Sequence, residues 1–300
     1  MAVSHGFNLT EATTSVSAPV QVSSGLQIIV GTAPVNQLAN PAAAVNTPLY
    51  VSTYKEAVAA VGWSSDFAKY TLCEAISANF QVVGTAPIVV INVLDPKNKK
   101  HITALDETSV QVNDGVAEID KVGILLEKLV VKKDTTTLTA DVDYIASFND
   151  DGTVSLALII GGAGDGATTL TVSGSILDAS KVTADDIVGG VNAATGAETG
   201  LEVVRQVYPK LSKAPGILLA PRFSKNAQVC AALQAKCRKI NGLFNAVCFI
   251  DLDCSADGVQ KYTDVAEQKT KQTATSREAY ALWLYVKVGE TVYSGSSMAA

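Results

Sequence analysis

Apolar positions in this chain alternate between continuous runs and helical stripes. Leu26 to Val30 (LQIIV) is a short run, apolar but for Gln27 and closed by Gly31, which predicts a strand buried on both faces. Two helical segments follow, Tyr54 to Val61 and Asp66 to Val83. In the second, Leu72, Ile76, Phe80 and Val83 recur at helical spacing, and Gly84 ends it. Pro87 introduces Ile88 to Leu94, a second buried strand that Asp95 and Pro96 terminate. Strand, helices, strand is the crossover unit of a parallel sheet.

From Thr103 to Lys181 the texture changes to short β-type runs separated by turn signals such as Asn113-Asp114-Gly115 and Asn149-Asp150-Asp151-Gly152. This spacing predicts an all-β module inserted into the α/β body, and such insertions protrude. The α/β pattern resumes at Val182, where Val182-Thr183-Ala184-Asp185-Asp186 looks like a helix start. Gly196 to Leu211 then carries an apolar helical stripe, Gly216 to Ala220 is a third strand, and Asn226 to Ile240 is a helix stopped by Asn241-Gly242. Ala246 to Asp253 is a fourth strand and Val259 to Lys271 a helix. Ala279 to Val288 with Thr291 to Ser294 reads as a hairpin about Gly289-Glu290, and the closing SGSSMAA shows no helix cap. The expected fold class is α/β: a mixed or parallel sheet core flanked by helices (25–102 and 182–300), split by an inserted β domain (103–181).

Residues 1–24 stand apart. They are rich in Ser and Thr, carry no Lys or Arg and only Glu11 as an acid, and offer scattered apolar residues, among them Val16, Val20 and Val22. A segment with so little to bury cannot offset its own ordering entropy within the body. Its β-branched content suits a strand donated to another chain's sheet edge. We therefore read it as an extended N-terminal arm, with Val16, Val20 and Val22 as subunit-interface residues.

Composition narrows the function. The 300 residues are 48% hydrophobic and only 17% charged, with a net charge of −6. Adjacent cations never exceed a pair, which argues against a nucleic-acid partner. A charge content well below the usual ~25% suits a surface covered largely by copies of itself. The five cysteines contain no CxxC pair and read as buried thiols of a reducing compartment. His5 and His101 are the only histidines, and both read as exposed, so zinc and triad chemistry lose their commonest ligand and base. No apolar run reaches the length of a membrane span, and the polar N-terminus does not fit a signal peptide; synthesis in a cytoplasm is expected.

Candidate chemistry fails its own tests. Gly161 to Thr168 has the spacing of a phosphate-binding loop, but Ala167 stands where the lysine belongs, and the loop lies between two β runs. Asp251, Asp253, Ser255 and Asp257 alternate like calcium ligands, yet Ala256 and Tyr262 occupy the positions that need Gly and Glu. The acidic strand end at Asp251 stays open as a place for a metal or a general acid, since ligands of open α/β sheets bind there. Asn8-Leu9-Thr10 is a formal glycosylation sequon. The expectation is a non-enzyme without cofactor; the rival readings are an α/β enzyme and a module that binds glycans or a host surface.

Several blocks, read in order, carry a resemblance. HGFNLTE (from His5), IIVGTAPVN (from Ile28), TYKEAVAAVGWSSDFAKYTLCEAI (from Thr53), GTAPIVVINVLDP (from Gly84), DYIASFNDDGTVSL (from Asp143), VTADDIVGGVNAATGAETGLEVV (from Val182) and PGILLAPRFSKNAQVCAALQAK (from Pro215) closely resemble the sheath subunits of contractile phage tails and phage-tail-like bacteriocins. The resemblance implies a structural subunit of a virion tail or bacteriocin particle. Its partners would be neighbouring sheath subunits in a helical stack of hexameric rings, the tail tube protein, and the baseplate and tail terminator proteins. The sheath would assemble extended and metastable, then contract to drive the tube through a bacterial envelope. The family's arms join a neighbour's C-terminal domain, and the chain is expected to lack that tube-contacting domain.

Overall fold

The computed structural model describes residues 25–256 and 258–300; Val16, Val20, Val22, the rest of the predicted arm, His5, Asn8 and Asp257 lie outside them. Along the chain come β1 (Gln27–Gly31), β2 (Leu49–Val51), α1 (Tyr54–Val61), α2 (Thr71–Ile76) and β3 (Ile88–Asn92). A run of strands follows: β4 (Ile102–Asn113), β5 (Val116–Ile119), β6 (Val130–Lys133), β7 (Thr136–Leu138), β8 (Tyr144–Phe148), β9 (Val154–Leu158) and β10 (Thr169–Leu177). Then come α3 (Ala184–Val188), the small pair β11 (Gly190–Val191) and β12 (Glu198–Thr199), α4 (Val207–Leu211), β13 (Ile217–Leu219), α5 (Ala227–Lys236), β14 (Val247–Asp251) and α6 (Val265–Lys271). The chain finishes with β15 (Ala279–Leu282), the hairpin β16 (Val286–Val288) and β17 (Thr291–Tyr293), and α7 (Gly295–Ala299).

The fold is mixed α/β. Six strands form one sheet in the order β15-β14-β13-β1-β3-β2, parallel except for β2 at one edge. β1 and β3 are buried at every residue, which is why both are apolar except for Gln27 and Asn92, whose side chains are hydrogen-bonded within the body. Gly31 ends β1 against α2: a Cβ there would collide with Thr71 Oγ1. Thr53 caps α1 by accepting from Glu56 N at 3.2 Å, and Asn226 caps α5 by accepting from Gln228 N at 2.8 Å.

The second sheet, β7-β6-β10-β4-β5-β9-β8, is antiparallel and curls into a half-barrel with its own core of Leu105, Ile119, Val131, Leu156, Leu170 and Val172. Its two edge strands are neighbours in sequence, and a bridge between Ala140 and Tyr144 draws them together. It leaves the body after β3, at the carboxyl edge of the parallel sheet. The root is fixed by Asn36 Nδ2 donating to Ile124 O at 3.2 Å and by Leu125 and Leu177, which are buried in the body's core.

Several elements depart from the sequence reading. The helix expected over 66–83 is α2 followed by a π-helical stretch, Ser77–Val83. Buried Asn79 explains the widening: its amide donates to Ala75 O and accepts from Gln27 Nε2, inserting a side chain into the helical ladder. The helix expected over 196–211 is β12, a 3-10 stretch Gly200–Gln206 and then α4. Pro209 cannot donate to the carbonyl four residues earlier, so a continuous α-helix is not available there. α5 stops at Lys236, because Lys239 and Asn241 take left-handed backbone (φ 51° and 53°) and turn the chain back at Phe244. Ala279–Leu282 is a fifth parallel strand, separated from the hairpin at Leu284 (φ 84°). Ser294 does cap a helix: its hydroxyl accepts from Ser297 N.

Candidate functional site

The carboxyl edge of the parallel sheet is the place where a ligand would be expected. Asp251 ends β14 there and is buried, and Glu74 of α2, wholly buried, lies across from it. Both face Arg222, which follows β13 in a left-handed conformation (φ 63°).

The chain itself fills this edge. Asp251 Oδ2 accepts from Arg222 N (3.1 Å), Ser224 Oγ (3.3 Å) and Ser296 Oγ (2.7 Å), while Oδ1 accepts from Ser296 N (2.7 Å). Glu74 accepts from the Arg222 guanidinium and from Ser294 N. Burial pushes the Glu74 carboxyl above its ordinary value, against the opposing pull of Arg222 and Ser294. Arg222 also donates to Val292 O (3.2 Å) and lies over the ring of Tyr285. Tyr293 completes the seal through its hydroxyl, 3.0 Å from Ser77 Oγ. The segment from β17 through α7 is thus strapped into the crevice, and both oxygens of the Asp251 carboxylate are engaged by the chain itself.

Asp253 does not converge with Asp251: its carboxylate accepts from Ser255 N and Ser255 Oγ in its own turn. Among the described residues, no group of three or more His, Cys, Asp or Glu is placed to hold a metal. His101 is corrected: it is buried, its Nδ1 accepts from Asp95 N at 3.0 Å, and its Nε2 lies 3.4 Å from Asp186 Oδ1. The helix start at Thr183-Asp186 places that carboxylate, so the histidine ties the root of the second sheet to the body.

The glycine-rich loop 161–168 joins β9 to β10 at the tip of the second sheet. Two of its amides are held by carboxylates: Ala163 N donates to Asp143 Oδ1 and Gly161 N to Asp165 Oδ2, both at 2.8 Å. Asp143 also accepts from Thr139 N, and these backbone donors hold its carboxyl below the usual range. Carboxylates thus hold two of the amides that a phosphate would need. Around this tip stand the exposed Asp114, Asp134, Asp141 and Asp165, with Ile160 92% exposed.

At the opposite, amino edge of the parallel sheet lies a hollow of about 690 Å³, lined where β13, β14 and β15 begin. Its floor includes Pro215, Phe244 and Val247, and its rim Arg238, Lys239 and Arg277. Arg238 and Arg277 share one acid, Glu278, and Lys239 forms no ion pair among the described residues. The Ser276 hydroxyl, then Arg238 and Arg277, pull the Glu278 carboxyl down to about 2.

No known family profile matches the chain. Over 291 residues it is 29% identical to the tail sheath protein of Burkholderia phage BcepMu. The chain is a homologue of a phage tail sheath protein. The aligned part covers 96% of this chain and 57% of that relative, so the chain spans little more than half of its length. The sequence reading reached Asp251 as the notable strand end, but it missed the residues that fill the site. Glu74, Arg222 and Ser296 are spread over more than two hundred positions, and no local pattern links them.

Proposed function

We propose that the chain is the structural subunit of a contractile tail sheath, assembled as hexameric rings stacked around a tail tube in the virion and shortened to drive the tube through a bacterial envelope. Homology to a tail sheath protein over nearly all of this chain carries the reading. The self-filled carboxyl edge supports it, since the usual ligand site of an α/β sheet is here used to brace the body. In this reading residues 1–24 are an arm, with Val16, Val20 and Val22 pairing with a neighbour, and residues 103–181 are an insert within the body 25–102 and 182–300. The tube, baseplate and terminator proteins are its further partners.

Strand exchange suits an assembly that must rearrange without coming apart. Each main-chain hydrogen bond contributes roughly 0.5–1.5 kcal/mol net, so a short augmented strand persists while weaker surface contacts are exchanged. Contraction then draws on additional area buried between bodies, summed over many subunits, with no nucleotide consumed. Negative-stain microscopy of the protein with and without residues 2–22 tests this. The full-length protein should form hollow cylinders and its arm-deleted form should not; normal cylinders from the deleted form would overturn the arm's role.

A further inference from the structure

Charge is divided unevenly between the two sheets. Residues 103–181 contain thirteen Asp or Glu and five Lys or Arg, a net of −8, which leaves +2 on the rest of a chain whose total is −6. Within the body, residues 200–245 hold eight Lys or Arg against the single acid Glu202. Part of this excess gathers at the amino-edge hollow, where Arg277 is 91% exposed.

The two regions lie at opposite ends. The second sheet is rooted at the carboxyl edge, and β4 carries it outward over twelve residues, roughly 35–40 Å of strand. Its far end comprises the turns at 113–115, 134–135, 139–143 and 159–168, as the pairings Thr169 with Gln111, Lys133 with Thr136, and Tyr144 with Leu158 require. The hydrogen bonds of these turns stay within the second sheet among the described residues. The basic hollow opens at the amino edge, beneath the starts of β13, β14 and β15.

The two ends also match in their apolar content. At the tip, Ile160, Val142 and Ile145 are exposed amid the aspartates. In the hollow, Phe244 and Val247 form an apolar floor, and Leu243, 71% exposed, stands on the adjoining turn. A hollow of about 690 Å³ is large enough for the end of a loop and far larger than one side chain needs. The loop bearing Ile160 is held in shape by Asp143 and Asp165, so it meets a partner already ordered.

We propose that the acidic tip of the second sheet docks into the basic amino-edge hollow of a second copy of this chain, with Ile160 seated on its floor between Lys239 and Arg277. Because donor and acceptor surfaces lie at opposite ends of one molecule, the contact is head-to-tail. It repeats from copy to copy without self-complementary closure and therefore builds rings or helices instead of two-fold dimers. Matched opposite charges steer the copies together and set the register, while tip against tip and hollow against hollow repel. This deepens the sheath reading and rests on it.

Sedimentation velocity of the chain at low and at about 0.5 M salt tests the contact, since screening over a few ångströms removes most of such an attraction. Wild type should form higher-order species at low salt that dissociate at high salt. Ile160→Arg, at a side chain without packing to lose, and K239E/R277E, at exposed rim positions, should each weaken association at least about tenfold, with unchanged circular dichroism. Mixing the two variants should restore one contact per pair, because the unaltered tip of K239E/R277E meets the unaltered hollow of Ile160→Arg. Variants that associate like wild type, or a mixture of folded variants that stays dissociated, overturn the contact while leaving the sheath reading standing. A wild-type chain that is monomeric at every salt overturns the contact as well.

Discussion

Glu74 and Arg222, 148 positions apart in the chain, form an ion pair at the carboxyl edge of the parallel sheet, with the carboxylate wholly buried. The pair joins α2 to the turn after β13 and, through Ser294, to the strap that closes the edge. Removing the carboxylate strands a partly buried guanidinium and an amide donor. Glu74→Ala should cost about 3 kcal/mol in urea unfolding. Glu74→Gln, which keeps an acceptor for Ser294 N, should cost less. Equal and negligible losses for both would show that the strap is held by other contacts.

Acid stability should divide between two glutamates. Glu278 is held down to about 2 from an ordinary 4.5. The folded protein binds this proton less tightly than the unfolded chain, so its contribution is present above pH 4.5 and is lost as pH falls from there toward 2. Glu74 runs the other way: the fold raises its value, so stability declines as pH rises above 4.5 through that raised value, then levels. Urea midpoints taken across this range should show Glu278→Gln flattening the acid limb and Glu74→Gln flattening the decline above it. An unaltered acid limb in Glu278→Gln would count against the Ser276–Arg238–Arg277 arrangement.

Thiol labelling should be all but silent in the folded state. Cys73, Cys230, Cys237 and Cys248 are buried and Cys254 is partly exposed, all as free thiols. Burial raises Cys73 to about 12 and Cys230 to about 11, so neither supplies thiolate at neutral pH. An aromatic disulfide reagent should titrate one thiol, Cys254, in native protein and all five in urea. Rapid reaction of a second native thiol would mean that the layer between α5 and β14 opens.

Asp143 is the organiser of the tip loop, receiving Thr139 N and Ala163 N. Asp143→Ala should speed hydrogen exchange at these two amides and at Gly161 by at least about tenfold, while the amides of β1 and β3 keep their protection. Unchanged exchange at Ala163 would assign the loop's order to its glycine turns alone.

Much of the architecture was legible because the physics that builds it is local. The short apolar stretches 28–31 and 88–91, closed by turn residues, suit strands covered on both faces, and the turn signals between 103 and 181 mark strand ends. What stayed hidden depends on distant partners. β2 is three residues long and exists by pairing with β3, and the π-helical stretch follows from Asn79 meeting Gln27. His101 looked exposed beside two lysines, yet Asp186, eighty-five positions later, gives it a partner and a buried place. Asp251 was conspicuous by its position at a strand end, but the residues that satisfy it come from two other segments of the chain.

β1 lies between β13 and β3 and forms parallel ladders with both, and the chain enters it from Gly25 and Leu26. Tension applied to the leading residues would run along the axis of this central strand and load both ladders at once in shear. Rungs loaded side by side share the force, whereas an edge strand peeled sideways would give way one rung at a time. A body tethered through its first strand would therefore be gripped where two ladders resist the pull together.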